Sequence, residues 1–285
     1  MATIALMGAG GKMGCRITDN LRKSNHKVFY VEVSDAGKER LAQRGLAPTP
    51  ADDAIPQADV VILAVPDVII GKVSAQVVPA MKPGAMVMML DPAAAYIGEL
   101  ERRADLVYFL SHPCHPPLFN NWEETPEARG DHFGGIAAKQ AIVNALMHGP
   151  EAAYALGDAV ATQMYAPVMR SHRVTVEQMA LLEPAMAETM GATCAMIMKE
   201  AMDEAIRRGV PAEAAKDFML GHAQIEMAIV FGFLGSPFSD AAKVAIEWSK
   251  ARILNPDWKS VFDSDQVRDC IDVMLHPDKL NGQGG

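Results

Sequence analysis

Two stretches of the chain hold residue types whose spacing can do chemistry. Ser111-His112-Pro113-Cys114-His115-Pro116-Pro117-Leu118-Phe119 sets two imidazoles and a thiol in a segment stiffened by prolines. An imidazole titrates near ~6.5, so His112 or His115 can take the proton of a substrate hydroxyl at neutral pH. The competing reading is a pair of hydrogen-bonded loop histidines. Cys114 is the weaker candidate, as nucleophile or ligand, because no flanking feature lowers its thiol pKa. The other stretch, Gly8-Ala9-Gly10-Gly11-Lys12-Met13-Gly14, joins the apolar run of residues 3–7 to a helix-like pattern. Glycines permit a tight turn and close approach of backbone to a ligand, and a helix start offers unpaired N–H groups to an anion. Gly8, Gly10, Gly11, Lys12 and Met13 therefore read as the grip on a dinucleotide pyrophosphate. The spacing departs from a strict G-x-G-x-x-G: Met13 stands where the third glycine would fall, and Gly14 follows it.

Such residues need elements to position them. Residues 27–32 form a β-branched and aromatic run ending in Glu32, close to the ~20-residue offset at which an acid binds the adenosine ribose. Its charge would repel a 2′-phosphate, which favours NAD; Asp35 is a competitor for the role, and Lys38 and Arg40 keep NADP open. Residues 58–66 are a continuous apolar run, as in a parallel strand buried on both faces, with Val65 and Pro66 at its cofactor-facing end and a helix from Asp67 to about Lys82. Residues 86–90 close on Asp91, and residues 106–110 close on Ser111-His112-Pro113. The alternation predicts a doubly wound α/β sheet whose ligands lie beyond the carboxyl ends of its strands. A polar loop over 120–132 reads as a lid or substrate loop. Residues 136–146 read as a strand carrying Lys139 and Asn144, and 150–164 as a helix.

From Thr175 the pattern turns wholly helical. Thr175-Val176-Glu177-Gln178 is a capping box, and a long helix follows through Ile206. Its Met186, Met190, Met196, Met198 and Met202 read as core or subunit interface. Further helices are expected at 211–234, 239–254 and 264–275, with a frayed tail over 282–285. The fold class is α/β: a Rossmann domain over 1–174, then an all-α domain over 175–285 for substrate binding and dimerisation.

Composition sets limits on partners. A chain of 285 residues, half of them hydrophobic, can bury two medium cores. A formal charge of -9 argues against a nucleic-acid partner. No apolar run approaches the ~20 residues of a membrane span and no leader pattern is present, so a soluble, cytoplasmic protein without a membrane partner is expected. Four scattered cysteines fit reduced thiols.

The order of glycine turn, Glu32, Ala64-Val65-Pro66 strand end, His-Pro strand end and helical C-terminal half resembles the 6-phosphogluconate dehydrogenase-like superfamily. Through residues 111–119 and Gly221-His222, the chain is similar over nearly its whole length to the D-apionate oxidoisomerases. That resemblance implies NAD-dependent oxidation of a branched sugar acid, D-apionate, and rearrangement to 3-oxo-isoapionate. Lys139 and Asn144 only loosely echo the lysine and asparagine of the superfamily's β-hydroxyacid dehydrogenases, so that lysine is not transferred.

A ketol rearrangement needs a polarised carbonyl and a stabilised neighbouring alkoxide, which a divalent cation chelated by both oxygens supplies. His222 and Glu226, spaced i, i+4, share a helical face, and Glu188 or Glu183 could approach them. They read as metal ligands or as a hydrogen-bonded pair. Three functions stay open: the oxidoisomerase, a plain NAD-dependent hydroxy-acid dehydrogenase, and a non-catalytic NAD-binding sensor. The Met-rich helix, apolar around its circumference, predicts a homodimer.

Overall fold

The computed structural model describes residues 1–282, so all but the first residue of the expected frayed tail lie outside the described residues. Strands β1 (Thr3–Met7), β2 (Lys27–Val31), β3 (Val60–Leu63), β4 (Met86–Met89), β5 (Val107–Pro113), β6 (Gln140–His148) and β7 (Val168–Arg173) form one sheet of order β2-β1-β3-β4-β5-β6-β7. β1 pairs in parallel with both β2 and β3, and β3, β4 and β5 continue the parallel run. β6 is antiparallel to β5 and parallel to β7. The chain reverses direction across the sheet between β1 and β3, which opens the crevice where doubly wound sheets take their ligands.

β3 and β4 are apolar at every position because helices cover both faces, and every residue of both strands is buried. Ile4, Leu6, Ile62, Met88 and Phe109 are completely inaccessible at the centre of this core. Helix α1 (Lys12–Leu21) lays Ile17, Thr18 and Leu21 into the core, and the Ala153–Met164 helix adds Val160, Ala161 and Met164.

The structure departs from the sequence pattern in four places. The helix expected from Asp67 to Lys82 is α-helical only at Ile70–Val77, with 3-10 turns at both ends. The strand expected at 136–146 begins at Gln140, because residues 134–138 are drawn into a loop by Asp131. The long helix is α-helical at Val176–Ala180 and Thr193–Arg207 but π-helical over Leu181–Ala192. Pro184 lies inside that stretch; it has no N–H to give and its ring crowds the carbonyl four residues back, which widens the ladder.

The fourth departure is the domain boundary. Two compact units form, one of residues 1–183 with 268–285 and one of residues 184–267. The division expected after residue 174 shifts because Val176–Ala180 packs on β6 and on the Ala93–Ile97 helix, with Met179 and Ala180 fully buried. The end of the last helix returns to the first unit through Ile271 and Leu275, and Arg268 stacks on Tyr96.

In the second unit, the Thr193–Arg207 and Ala212–Val230 helices pack on each other, and Asp240–Ile253 follows. Among the described residues, no helix is long and apolar enough to cross a membrane.

Candidate active site

The glycine turn sits at the carboxyl end of β1. Gly8 has φ +75°, a conformation that side-chain-bearing residues avoid, and its N–H and that of Ala9 donate to the Val31 carbonyl at 2.9 and 3.1 Å. A Cβ on Gly14 would strike the Gly8 carbonyl oxygen, so Gly14 supplies the close helix–strand packing of the displaced third glycine. Helix α1 starts at Gly11 without a side-chain cap, which leaves the Lys12 and Met13 N–H groups for an anion. Ala64 and Val65, at the end of β3, flank Gly8, with Pro66 the next residue.

Glu32 is tied into this turn. Its Oε2 accepts from the Gly10 N–H at 2.9 Å, and its Oε1 accepts from the N–H groups of Val33 and Ser34 and from the Ser34 hydroxyl. Burial works against its charge, yet the bonds from Ser34, Gly10 and Val33 hold its pKa below the usual value. Asp35 instead opens helix α2 (Asp35–Ala42) and pairs with Lys38, while Arg40 Nε donates to the Gly10 carbonyl at 2.6 Å. These features fit an NAD adenosine and pyrophosphate: acceptor capacity on Glu32, free helix N–H groups and a backbone cradle that side chains would fill.

His112 and His115 do come together, with ring centroids 6.3 Å apart and nearly perpendicular planes. His112 is the penultimate residue of β5 rather than part of a loop. Its Nδ1 lies 2.8 Å from the Leu90 carbonyl oxygen, which can only accept, so Nδ1 carries a hydrogen. Its Nε2 lies 3.1 Å from Glu183 Oε2. Asp91, held by the Ala93 N–H, stands 3.9 Å from Nδ1. Burial disfavours the charged imidazole, but the Glu183 bond, the Asp91 charge and the Leu90 carbonyl prevail and raise its pKa to about 9. His112 is therefore an imidazolium at neutral pH. Burial, with Asp67 adding to it, raises Asp91 to about 6, while the His112 bond outweighs burial and holds Glu183 low.

His115 is different. Its backbone has φ +60°, and its Nδ1 donates to the Phe133 carbonyl at 2.8 Å, which fixes a proton on Nδ1. The Phe133 ring lies 4.8 Å from the His115 ring, and Lys12 and Arg16 of α1 sit over it at 4.6 and 4.8 Å. The loop that carries Phe133 is pinned rather than open: the Asp131 carboxylate accepts from Gly134, Ile136, Ala137 and Ala138, and buried Glu123 accepts from the Lys139 N–H. Partial desolvation raises the Cys114 thiol, against a thiolate role. Asn144 is buried within β6, bonded to Asp158 and Ser171, and Lys139 is exposed.

The expected metal ligands lie in the second unit. His222 and Glu226 are exposed on the Ala212–Val230 helix, with His222 stacked on Phe218 and its Nδ1 given to the Phe218 carbonyl; Glu188 is exposed on the π-helical stretch. Among the described residues they do not form a three-ligand group with one another. Asp91, His112 and Glu183 do present ligand atoms within 4.8 Å of one another. In the metal-free protein a proton on His112 Nε2 meets the Glu183 carboxylate, and a cation held by these three residues would take that proton's place.

A parallel sheet with a glycine turn, a ribose acid and a histidine-bearing strand end defines an NAD-dependent Rossmann oxidoreductase. Residues 1–116 match the acetohydroxy acid isomeroreductase NADPH-binding domain, and residues 121–275 match the C-terminal region of phosphogluconate dehydrogenase (decarboxylating). The chain is 55% identical over 269 residues to a D-apionate oxidoisomerase of Cupriavidus necator, covering 94% of this chain and 97% of that one. It is 53% identical over 272 residues to one of Rhizobium rhizogenes, covering 95% and 98%. A solved semialdehyde dehydrogenase NAD-binding protein of Cupriavidus necator, in complex with calcium and NAD, superposes with a TM-score of 0.93 at 54% identity, covering 96% and 99%. The chain belongs to the D-apionate oxidoisomerase family, within the 6-phosphogluconate dehydrogenase-like superfamily.

Both histidines, the glycine turn and Glu32 were singled out in the sequence, and the structure places them at the strand ends expected. Asp91 was legible only as a strand end, and Glu183 only as a distant alternative metal ligand.

Proposed function

We propose that the chain oxidises D-apionate with NAD and rearranges the product to 3-oxo-isoapionate. The observation that carries this reading is the pair of imidazoles brought together at one strand end, His112 held charged by Glu183 and Asp91 and His115 tied through Nδ1 to the Phe133 carbonyl. His115 Nε2 takes the hydroxyl proton of the substrate carbinol. Bound NAD accepts the hydride from the same carbon. In the rearrangement a hydroxymethyl group leaves the tertiary carbinol and bonds to the new carbonyl carbon, with no net redox change. That step needs a hydrogen-bond donor at the ketone oxygen, and the His112 imidazolium supplies it. The carboxylates of Asp91 and Glu183 hold His112 charged through both steps.

A divalent cation is the second part of the proposal. The solved relative contains calcium, and His222 and Glu226 lie four residues apart on one exposed helical face, although Glu188 does not join them in a three-ligand group among the described residues. Such a cation would polarise the carbonyl and alkoxide oxygens. A homodimer is the third part. In the helical unit Phe218, Phe231, Phe233, Val244, Trp248 and Ile253 are each at least 60% exposed, a surface that a second copy would cover.

Incubation with D-apionate and NAD tests the reading, with NADH followed by absorbance and the product carbon skeleton by NMR. The expected result is NADH together with a migrated skeleton. NADH without a migrated skeleton identifies a plain hydroxy-acid dehydrogenase, and neither product identifies an NAD-binding sensor.

A further inference from the structure

Helix α1 carries a second feature that the dinucleotide does not use. Lys12, Arg16 and Asp19 are spaced i, i+4 and i+7 on one face of the helix, and Arg22 and Lys23 follow in the turn at its end. A cavity of about 630 Å³ runs along this face, lined by these five residues and Arg44. Asp19 is the only acid lining it, and its carboxylate is already held by the Arg44 guanidinium at 2.9 and 3.1 Å. Among the described residues, Lys12, Arg16, Arg22 and Lys23 make no ion pair. The Arg16 Nε is buried without a hydrogen-bond partner, a costly state for a guanidinium donor.

Among the described residues these four cations lack a carboxylate partner, although Lys12 and Arg16 also lie over the Phe133 ring, and their convergence on one concave face stands out in a chain whose formal charge is -9. A cleft lined by one sign of charge concentrates the opposite ion, and arginine's planar fork matches phosphate oxygens. We infer that this groove is an anion site for a small molecule bearing two or more phosphoryl groups, separate from the dinucleotide grip. It shares only Lys12 with the glycine turn and includes neither Gly8, Gly10 nor Glu32. Arg16 is the central ligand, with Arg22 and Lys23 at the far end.

Calorimetric titration of the NAD-saturated protein with inorganic tripolyphosphate tests this, because the pyrophosphate grip is then filled. Saturable binding of one tripolyphosphate per chain is expected, weakening as salt is raised. The Arg22→Gln/Lys23→Gln pair should weaken it at least tenfold while leaving NAD affinity and thermal stability unchanged, and Arg16→Gln, which also loses its contact with the Phe133 ring, should weaken it at least tenfold with NAD affinity unchanged. Absence of saturable heat, equal affinity in all variants, or loss of tripolyphosphate binding when NAD is added would each overturn the site. Arg22 and Lys23 are exposed in the turn after the helix and Arg16 is half-buried within it, so a folding defect in one variant leaves the other to decide.

Discussion

The Nε2 of His112 lies 3.1 Å from the Oε2 of Glu183, although 71 positions separate them in the chain. The first residue belongs to a core strand and the second to a π-helical turn that exists because Pro184 follows it. The contact keeps both nitrogens of His112 protonated, since a carboxylate accepts only and the other ring nitrogen already donates to Leu90. If the imidazolium is the form that works, activity should fall as pH rises through about 9. Glu183→Gln removes the largest charge-stabilising partner, so the same fall should move to lower pH. A pH–rate profile of kcat for both proteins checks this; an alkaline limb that stays in place in the variant would refute the assignment.

The same shift has a consequence for stability. The His112 pKa rises from 6.5 unfolded to about 9 folded, so the folded state binds the extra proton. Its contribution is complete below 6.5 and is lost as pH climbs toward 9; linkage puts it at roughly 3 kcal/mol as an upper bound. Asp91, raised from 3.8 to about 6, adds a smaller loss at lower pH, as its buried carboxyl is forced to ionise. Melting temperature should therefore decline between pH 6.5 and 9, and His112→Gln should flatten that slope. Calorimetry of the two proteins across this range is the check.

Removing each imidazole separates chemistry from cofactor binding. His115→Ala deletes the free Nε2 and His112→Ala the charged donor, and general acid–base groups contribute ~100- to 10,000-fold. Both variants should lose turnover on that scale while NAD affinity, held by the glycine turn and Glu32, stays within twofold to threefold (about 0.5 kcal/mol) of the parent. Losses below tenfold in both variants would remove this strand end from the mechanism. For the cation, stripped protein and His222→Ala should lose rearrangement in parallel with metal content; full activity of stripped protein would assign the polarising role to His112 alone.

How much of this was legible in sequence depends on range. The glycine turn, Glu32 and the strand ends are local patterns, and each lies where its pattern places it. Met13 occupied the expected glycine position, yet Gly14 does the packing, because what matters is which Cα faces the Gly8 carbonyl. Glu183 and Asp91 carried no local signal as partners of His112, since their meeting depends on strand order and on a proline-widened helix. The return of Ile271 and Leu275 to the first unit was equally hidden, as an amphipathic helix does not name the core it will join. The groove along α1 was present as an i, i+4 stripe, but a count of net charge concealed it.

We propose that cofactor choice rests on Glu32. Its carboxylate bonds Gly10 as well as facing the ribose position, so Glu32→Ala removes charge and loosens the turn together. Charge-assisted hydrogen bonds of this kind are worth about 1.5–3 kcal/mol, so the Michaelis constant for NAD should rise at least tenfold. The preference for NAD over NADP should narrow, because the repulsion of a 2′-phosphate is gone. Steady-state kinetics with both cofactors checks it, and an unchanged ratio would return the role to another residue.

Phe133 is the residue through which His115 is positioned. Its carbonyl fixes the His115 tautomer, its ring lies against the imidazole, and Lys12 and Arg16 of the cofactor helix hold that ring from the other element. His115 needs such support because its own backbone is in the left-handed region, which residues with side chains seldom occupy. Phe133→Leu keeps the carbonyl and most of the apolar volume but removes the aromatic face. Misplacing a reacting group by about 1 Å can cost ~100-fold, so kcat should fall roughly 10- to 100-fold with little change in NAD affinity. Phe133→Tyr keeps the ring and should restore most of the rate. A fall in melting temperature without a fall in kcat, or a failure of the tyrosine to rescue, would show that Phe133 only packs the loop.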